Sequence, residues 1–175
     1  AYITGFNYCL EKGYEFIRET DADFSHNPAD LVKLREAALD GNADVAVGSR
    51  YVSGVNVVNW PMGRILMSYY ASKYVRLVTG LPIHDTTAGF VCYRRRVLEA
   101  LPLDSIKFKG YAFQIEMKFT AHKYGFKVVE VPIIFVNRVL GTSKMRPGIF
   151  GEAVFGVIRL KWNSFFTRYP DYSRR

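Results

Sequence analysis

Only two cysteines, Cys9 and Cys92, occur in 175 residues. Neither a metal–thiolate framework nor a disulfide scaffold can be built from them, and the expectation is two buried thiols in a reducing compartment. Long apolar runs are missing too. A membrane-spanning helix needs about 20 mostly apolar residues, and the longest candidate, Ile149 to Phe166, is interrupted by Glu152, Arg159 and Lys161. No basic stretch followed by a short apolar one marks a secretory leader. There is no Gly-x-Ser-x-Gly and no Cys/His pair at a useful place, so hydrolase chemistry has no support. His26, His84 and His122 form no spaced cluster and read as turn or helix residues. No internal repeat and no low-complexity linker divides the chain.

What is present describes one domain. At 49% hydrophobic and 15% aromatic residues the chain is too apolar to be disordered, and its length suffices to bury about 70% of the unfolded surface. Residues 1–12 read as a helix with Phe6, Cys9 and Leu10 on one face and Tyr2 and Ile3 a turn earlier. No capping residue precedes them, which reads as a chain lacking its first part. Beyond it, strand and helix signals alternate, the pattern of an α/β layered fold. Strands are expected at Tyr14 to Glu19, Asp44 to Gly48 and Gly89 to Tyr93, with a paired or bent strand at Lys127 to Val136 around Pro132. Helices are expected at Pro28 to Leu39 (ended by Gly41), Met62 to Thr79 (closed by Gly80) and Ala112 to Tyr124 (stopped by Gly125).

The formal charge is +8, and six of those charges fall from Arg138 onward, where eight Lys and Arg face only Glu152 and Asp171. The chain divides accordingly into residues 1–147, the body of the domain, and 148–175, an amphipathic helix with a basic tail. Phe150, Val154, Val157, Ile158 and Phe165 would form the apolar face of that helix, with Gly148, Glu152, Arg159 and Asn163 opposite. Such a pattern suits an anionic membrane surface and equally a terminal helix packed on its own domain.

Candidate chemistry begins at Asp21-Ala22-Asp23, where the first strand runs into a turn. Ligands bind beyond the carboxyl ends of strands in open α/β sheets, and two hard oxygen ligands completed by substrate phosphates are a usual way to hold Mg²⁺ or Mn²⁺. The residues that follow have a structural explanation: Asn27 caps, Pro28 opens the helix and Asp30 faces its amino end. Arg50 ends the second strand, and Arg64 and Ser68, four apart, share a helical face. A guanidinium fork beside a hydroxyl suits phosphate, although a solvated helix face has the same spacing.

Seven runs carry a more specific signal: Asp21-Ala-Asp-Phe-Ser-His-Asn-Pro28, Gly48-Ser-Arg-Tyr51, Asn59-Trp-Pro61, Asp85-Thr-Thr-Ala-Gly-Phe90, Gly110-Tyr-Ala-Phe-Gln-Ile-Glu116, Val129-Glu-Val-Pro132 and Gly141-Thr-Ser-Lys-Met145. In this order and spacing the chain resembles the polyprenol (dolichol) phosphate mannosyltransferases, GT-A glycosyltransferases of family 2, from Ala1 to about Phe150. The resemblance implies a three-layer, Rossmann-like α/β fold, amino-terminally truncated. The family's opening strand, helix and acidic turn, which hold the base and ribose, have no counterpart, so the isolated chain is expected to be inactive. Thr20 stands where relatives often carry an apolar residue.

The resemblance further implies a metal held by Asp21 and Asp23, with Ser25 a possible third contact. It places Arg50, Arg64 and Ser68 on the acceptor lipid phosphate, and Arg138 and Lys144 in a basic loop near the donor diphosphate. Gln114 and Glu116 would lie toward donor diphosphate or sugar, and Asp85, with Asp23 and Arg50, at the reacting centre. The expected activity is inverting transfer of mannose from GDP-mannose to a polyprenyl phosphate by a peripheral protein on the cytoplasmic face of a membrane. A phosphate monoester is already largely ionised at neutral pH, with its second pKa near about 6. No general base is then required; the work is to bring two anions together and neutralise the leaving diphosphate. A UDP-glucose-dependent relative is the alternative within the class. A basic membrane or nucleic-acid binding module is the alternative outside it, but the nucleic-acid reading lacks its motif: Gly89-Phe-Val-Cys-Tyr93 only faintly echoes an RNA-binding strand.

Overall fold

Short apolar runs separated by longer periodic segments produce, in the computed structural model, twelve strands and helices over the described residues, 1–39, 43–137 and 147–172, the side chains of 147–153 excepted. In chain order these are α1 (Tyr2–Glu11), β1 (Phe16–Glu19), α2 (Asp30–Leu39), β2 (Val45–Ser49), β3 (Val57–Val58), α3 (Met62–Thr79), β4 (Val91–Arg94), α4 (Arg95–Ala100), α5 (Gly110–Lys123), β5 (Val128–Pro132), β6 (Phe135–Val136) and α6 (Pro147–Ser164).

The main sheet runs β1-β4-β2-β5, with β4 antiparallel to both neighbours and β2 parallel to β5. Strands β1, β2 and β5 therefore point the same way and end at one edge, where β4 begins. Val45, Ala46 and Val47 are fully buried, as expected of a strand covered on both faces. Val45 and Val47 face a core shared with Phe6, Tyr93, Phe113 and Met117, whereas Ala46 and Cys92 face Leu34 and Ala38 of α2. Alternation along the strands thus splits the interior into two cores and makes three layers.

Most expected elements occur with shifts of one or two residues at their ends. Helix α3 spans Met62–Thr79 and closes on Gly80 in the left-handed conformation (φ 79°), whose N–H returns to the Arg76 carbonyl. Asn27 caps through its side chain, its Oδ1 accepting from the Ala29 N–H at 3.0 Å. Gly41 lies outside the described residues. Of the two cysteines Cys92 is buried and Cys9 half-buried, both unbridged.

Three findings depart from the sequence expectations. The segment around Pro132 is two strands in different sheets: β5 joins the main sheet and β6 pairs in parallel with β3. Helix α4 follows β4 without a break, because Arg94 is the last extended residue and no glycine or proline separates the two. Helix α6 packs through only part of the expected face: Val157 is buried and Val154 half-buried, with Arg159 and Asn163 exposed as expected, but Ile158 is 49% and Phe165 69% exposed and Ser164 is buried instead. Phe155 and Trp162 interleave with the expected apolar positions, so periodicity singled out no stripe. Close approach decides instead, since a Cβ at Gly156 would stand 2.8 Å from the Phe108 ring. Phe150, Gly148 and Glu152 lie among the side chains outside the description.

Candidate active site

Beyond the common strand edge lies a cavity of about 700 Å³. One side is made by strand ends and their turns, with Asp21, Gly48, Arg50 and Thr87 to Gly89. The other is made by helices, with Met67, Ala71, Tyr74 and Val75 of α3, Ile115 of α5, and Val154 and Val157 of α6. Arg64 and Ser68 line it from the first turns of α3, and His26 and Trp60 complete the wall. Gly48 sits in that wall because a Cβ there would lie 2.5 Å from Phe90 and 3.2 Å from Ile133. The Tyr74 hydroxyl donates to the Val154 carbonyl at 3.0 Å, and Lys161 donates to the Thr79 carbonyl at 3.3 Å, so α6 is fastened to α3 as a wall of the cavity.

Arg50 and Asp85 form the most completely buried ion pair of the described residues. Arg50 Nε donates to Asp85 Oδ2 at 2.6 Å and Nη2 to Oδ1 at 2.7 Å, while the Arg50 backbone N–H adds a third bond to Oδ2 at 3.0 Å. Nη2 also donates to Thr87 Oγ1 at 3.1 Å. Burial alone would raise the Asp85 pKa, but the guanidinium more than compensates and holds it below the ordinary carboxylate value. The same pairing reverses the effect of burial on Arg50 and raises its pKa. Asp85 is steadied by Glu130 of β5, whose carboxylate accepts the backbone N–H groups of His84 and Asp85 at 2.7 and 2.8 Å. Around this pair, Tyr51, Trp60 and Phe135 present their rings to Arg50 at 5.3, 5.4 and 5.7 Å.

Asp21 is exposed at the cavity, and Asp23, half-buried, accepts the Ser25 N–H on Oδ1 at 3.1 Å. Phe24 between them takes a left-handed conformation (φ 58°) and stands in solvent. The Ser25 hydroxyl is buried with no hydrogen-bond partner among the described residues. A divalent cation fits this donor set only in part: two carboxylates on one turn are present, but among the described residues no group of three acids, histidines or cysteines converges. The remaining positions would fall to phosphate oxygens and water, as Mg²⁺ commonly accepts. His26, on the same turn, stacks on Phe90 with centroids 4.5 Å apart, and burial lowers its pKa.

Gln114 and Glu116 do not line the cavity. Gln114 is buried beneath it, its Nε2 donating to Glu19 Oε1. Glu116 accepts the backbone N–H groups of Lys107 and Phe108 at 3.0 and 2.9 Å and so fixes the turn entering α5. Arg138 and Lys144 lie outside the described residues.

Sequence reasoning assigned no role to Glu19, Lys118 or Asn137, nor to Trp60 and Glu130, although those two stand in the quoted runs. Lys118 is wholly buried, with Nζ donating to the Ala88 carbonyl in the cavity wall at 2.6 Å. Burial lowers its pKa to about 8, opposed by Asp85 and Glu19, and burial raises Glu19 to about 7, opposed by Gln114 and Lys118. No local signal marks Lys118: only the tertiary structure shows α5 buried along Phe113 to Ala121, which makes the charges in that run interior ones.

A family model described as glycosyl transferase family 2 matches residues 1–101. Undecaprenyl-phosphate mannosyltransferase of Micrococcus luteus is 49% identical over 159 residues, which are 91% of this chain and 65% of that protein. Polyprenol monophosphomannose synthase of Mycolicibacterium smegmatis is 48% identical over 157 residues, 90% of this chain and 59% of that protein. The chain thus spans about three-fifths of the length of these curated relatives.

Proposed function

Because the chain belongs to glycosyltransferase family 2, and its mixed sheet between helical layers agrees with the Rossmann-like GT-A fold, we propose that it forms the acceptor side and part of the donor side of a polyprenyl phosphate mannosyltransferase. The observation that carries this reading is the two-sided cavity. Arginines, a serine and an acidic turn gather at one side, and a hydrocarbon wall of three helices stands at the other. That suits a substrate with an anionic head and an apolar tail.

In this reading Arg64 and Ser68 hold the acceptor phosphate, and the Arg50–Asp85 pair fixes the wall against which phosphate and sugar meet. Asp21 and Asp23, with the Ser25 hydroxyl within the same turn, would hold Mg²⁺ or Mn²⁺, which when bound neutralises the diphosphate that leaves. The acceptor phosphate oxygen attacks the anomeric carbon of GDP-mannose with inversion and needs no side-chain base. Gln114 steadies the acidic turn through Glu19, Glu116 holds the Lys107–Phe108 turn, and Arg138 and Lys144 serve the diphosphate.

Among the described residues no helix is long and apolar enough to cross a membrane. Met62, Leu66 and Tyr70 of α3 and Phe155, Ile158, Trp162 and Phe165 of α6 are nevertheless exposed. With Lys73, Arg159 and Arg168 nearby in sequence, they form the surface proposed to rest on the cytoplasmic face of an anionic bilayer.

The test is transfer of labelled mannose from GDP-mannose to a polyprenyl phosphate by the complete reading frame that contains this sequence, with and without Mg²⁺ or Mn²⁺, beside an Asp23→Ala variant. Metal-dependent label in the lipid that the variant abolishes is expected. Transfer from UDP-glucose instead would replace the donor, and transfer from neither would overturn the reading.

A further inference from the structure

Arg64 occupies an unusual place for a cation. It lies in the first turn of α3, where the exposed N–H groups make the field positive, and that turn holds no acidic residue. Something other than the helix must aim it, and two contacts among the described residues contribute. The guanidinium carbon stands 4.0 Å from the centre of the Trp60 ring, the closest cation–ring approach of the described residues. Nη1 donates to Asn137 Oδ1 at 3.0 Å.

Asn137 is itself held at two further points. Its backbone N–H donates to the Val58 carbonyl at 3.0 Å, and its Nδ2 donates to the Asn59 carbonyl at 3.1 Å. Because Nδ2 is committed to a carbonyl, the oxygen of the amide must be the atom that faces Arg64. The residue thus ties the end of β6 to the link between β3 and α3, and presents a fixed acceptor to the arginine. Trp60 is fixed on its other side by Phe135, ring centres 5.2 Å apart at 71°. The small β3–β6 sheet has an assignable purpose in this arrangement: it carries both groups that orient one guanidinium at the cavity wall.

We propose that Asn137, with Trp60, is a positioning residue for acceptor binding: it sets the plane and reach of the Arg64 guanidinium toward the anionic head of the lipid. The inference rests on the reading of Arg64 as an acceptor-phosphate group and extends it to two residues that act through Arg64.

The experiment measures mannosyl transfer to a short-chain polyprenyl phosphate by the complete reading frame that contains this sequence, comparing Asn137→Ala, Asn137→Asp, Trp60→Leu, Arg64→Ala and the Arg64→Ala/Asn137→Ala double variant. Expected are an acceptor KM raised at least fivefold in Asn137→Ala and Trp60→Leu, with kcat and donor KM within twofold of the parent. Asn137→Asp, which keeps the acceptor oxygen, should recover most of the loss. The double variant should be no worse than Arg64→Ala alone, because the second change removes an aid to a group already gone. A raised KM in Arg64→Ala with none in Asn137→Ala would overturn the proposal and leave the acceptor reading intact. Effects that multiply in the double variant, or a loss in Asn137→Ala that comes with a lowered melting temperature and a changed donor KM, would also overturn it. An unchanged acceptor KM in Arg64→Ala would overturn the acceptor reading and this inference together.

Discussion

Arg50 and Arg64 line the same cavity and both face the ring of Trp60, yet they are held by opposite means. Arg50 is 7% exposed and carries one carboxylate across its Nε and Nη2. Arg64 is half-buried and is held by an amide oxygen and an aromatic face. A buried charge is tolerable only when paired, and once paired it serves as scaffold. A half-exposed arginine oriented at the cavity wall by an amide oxygen and a ring is placed to meet an anion there. In the proposed reading, two residues with one expected role in the sequence therefore separate into a structural and a binding arginine.

The sharpest way to break the contrast is Asp85→Ala, which strands the Arg50 guanidinium in the interior. We expect a loss of about 3–5 kcal/mol in unfolding free energy, measured by denaturant titration, where a loss below about 1 kcal/mol would show that water reaches Arg50.

Beneath the same wall, Glu19 titrates at about 7 in the folded protein against 4.5 in the unfolded chain. The folded state thus binds the proton more tightly, and this contribution to stability is complete below pH 4.5 and lost as the pH rises toward 7. Glu19→Gln should remove that slope. Between those pH values the parent should lose on the order of 2 kcal/mol relative to the variant, and parallel stability curves would refute the assignment.

The smallest effect on folding belongs to Arg64→Ala, with unfolding free energy within about 0.5 kcal/mol of the parent. Its acceptor KM should nevertheless rise about tenfold or more, the scale of one lost charge-assisted hydrogen bond. A stability loss comparable to that of Asp85→Ala would erase the distinction between the two arginines. On the surface, replacing Arg159, Lys161 and Arg168 by Gln should weaken binding to anionic vesicles in a salt-dependent way. Sedimentation with vesicles would show it, and unchanged binding would return α6 to a purely internal role.

Much of the fold was legible because its signals are short-ranged. The run Val45 to Val47 is apolar on both faces and can only be an inner strand. Gly80 stops α3 at Thr79, and Asn27 caps α2. The acidic turn was legible as well, since Asp21 and Asp23 remain after capping accounts for their neighbours. Helix α6 was legible only in part because its apolar residues surround it, and only contact with α3 and with Phe108 selects a face. Lys118 escaped notice because one lysine in an apolar helix has no local partner to reveal it.

By itself the sequence determined the order of strands and helices, the acidic turn at a strand end and the residue types fit for phosphate, all through interactions within a few positions of chain. Tertiary structure decided which charges are scaffold and which face the cavity. Asp85 meets Arg50 across 35 residues, Asn137 meets Arg64 across 73, and Gln114 meets Glu19 across 95. No local pattern encodes such pairs. They exist because the layered core brings distant strand ends and helix starts to one edge, where burial penalises any charge left without its partner.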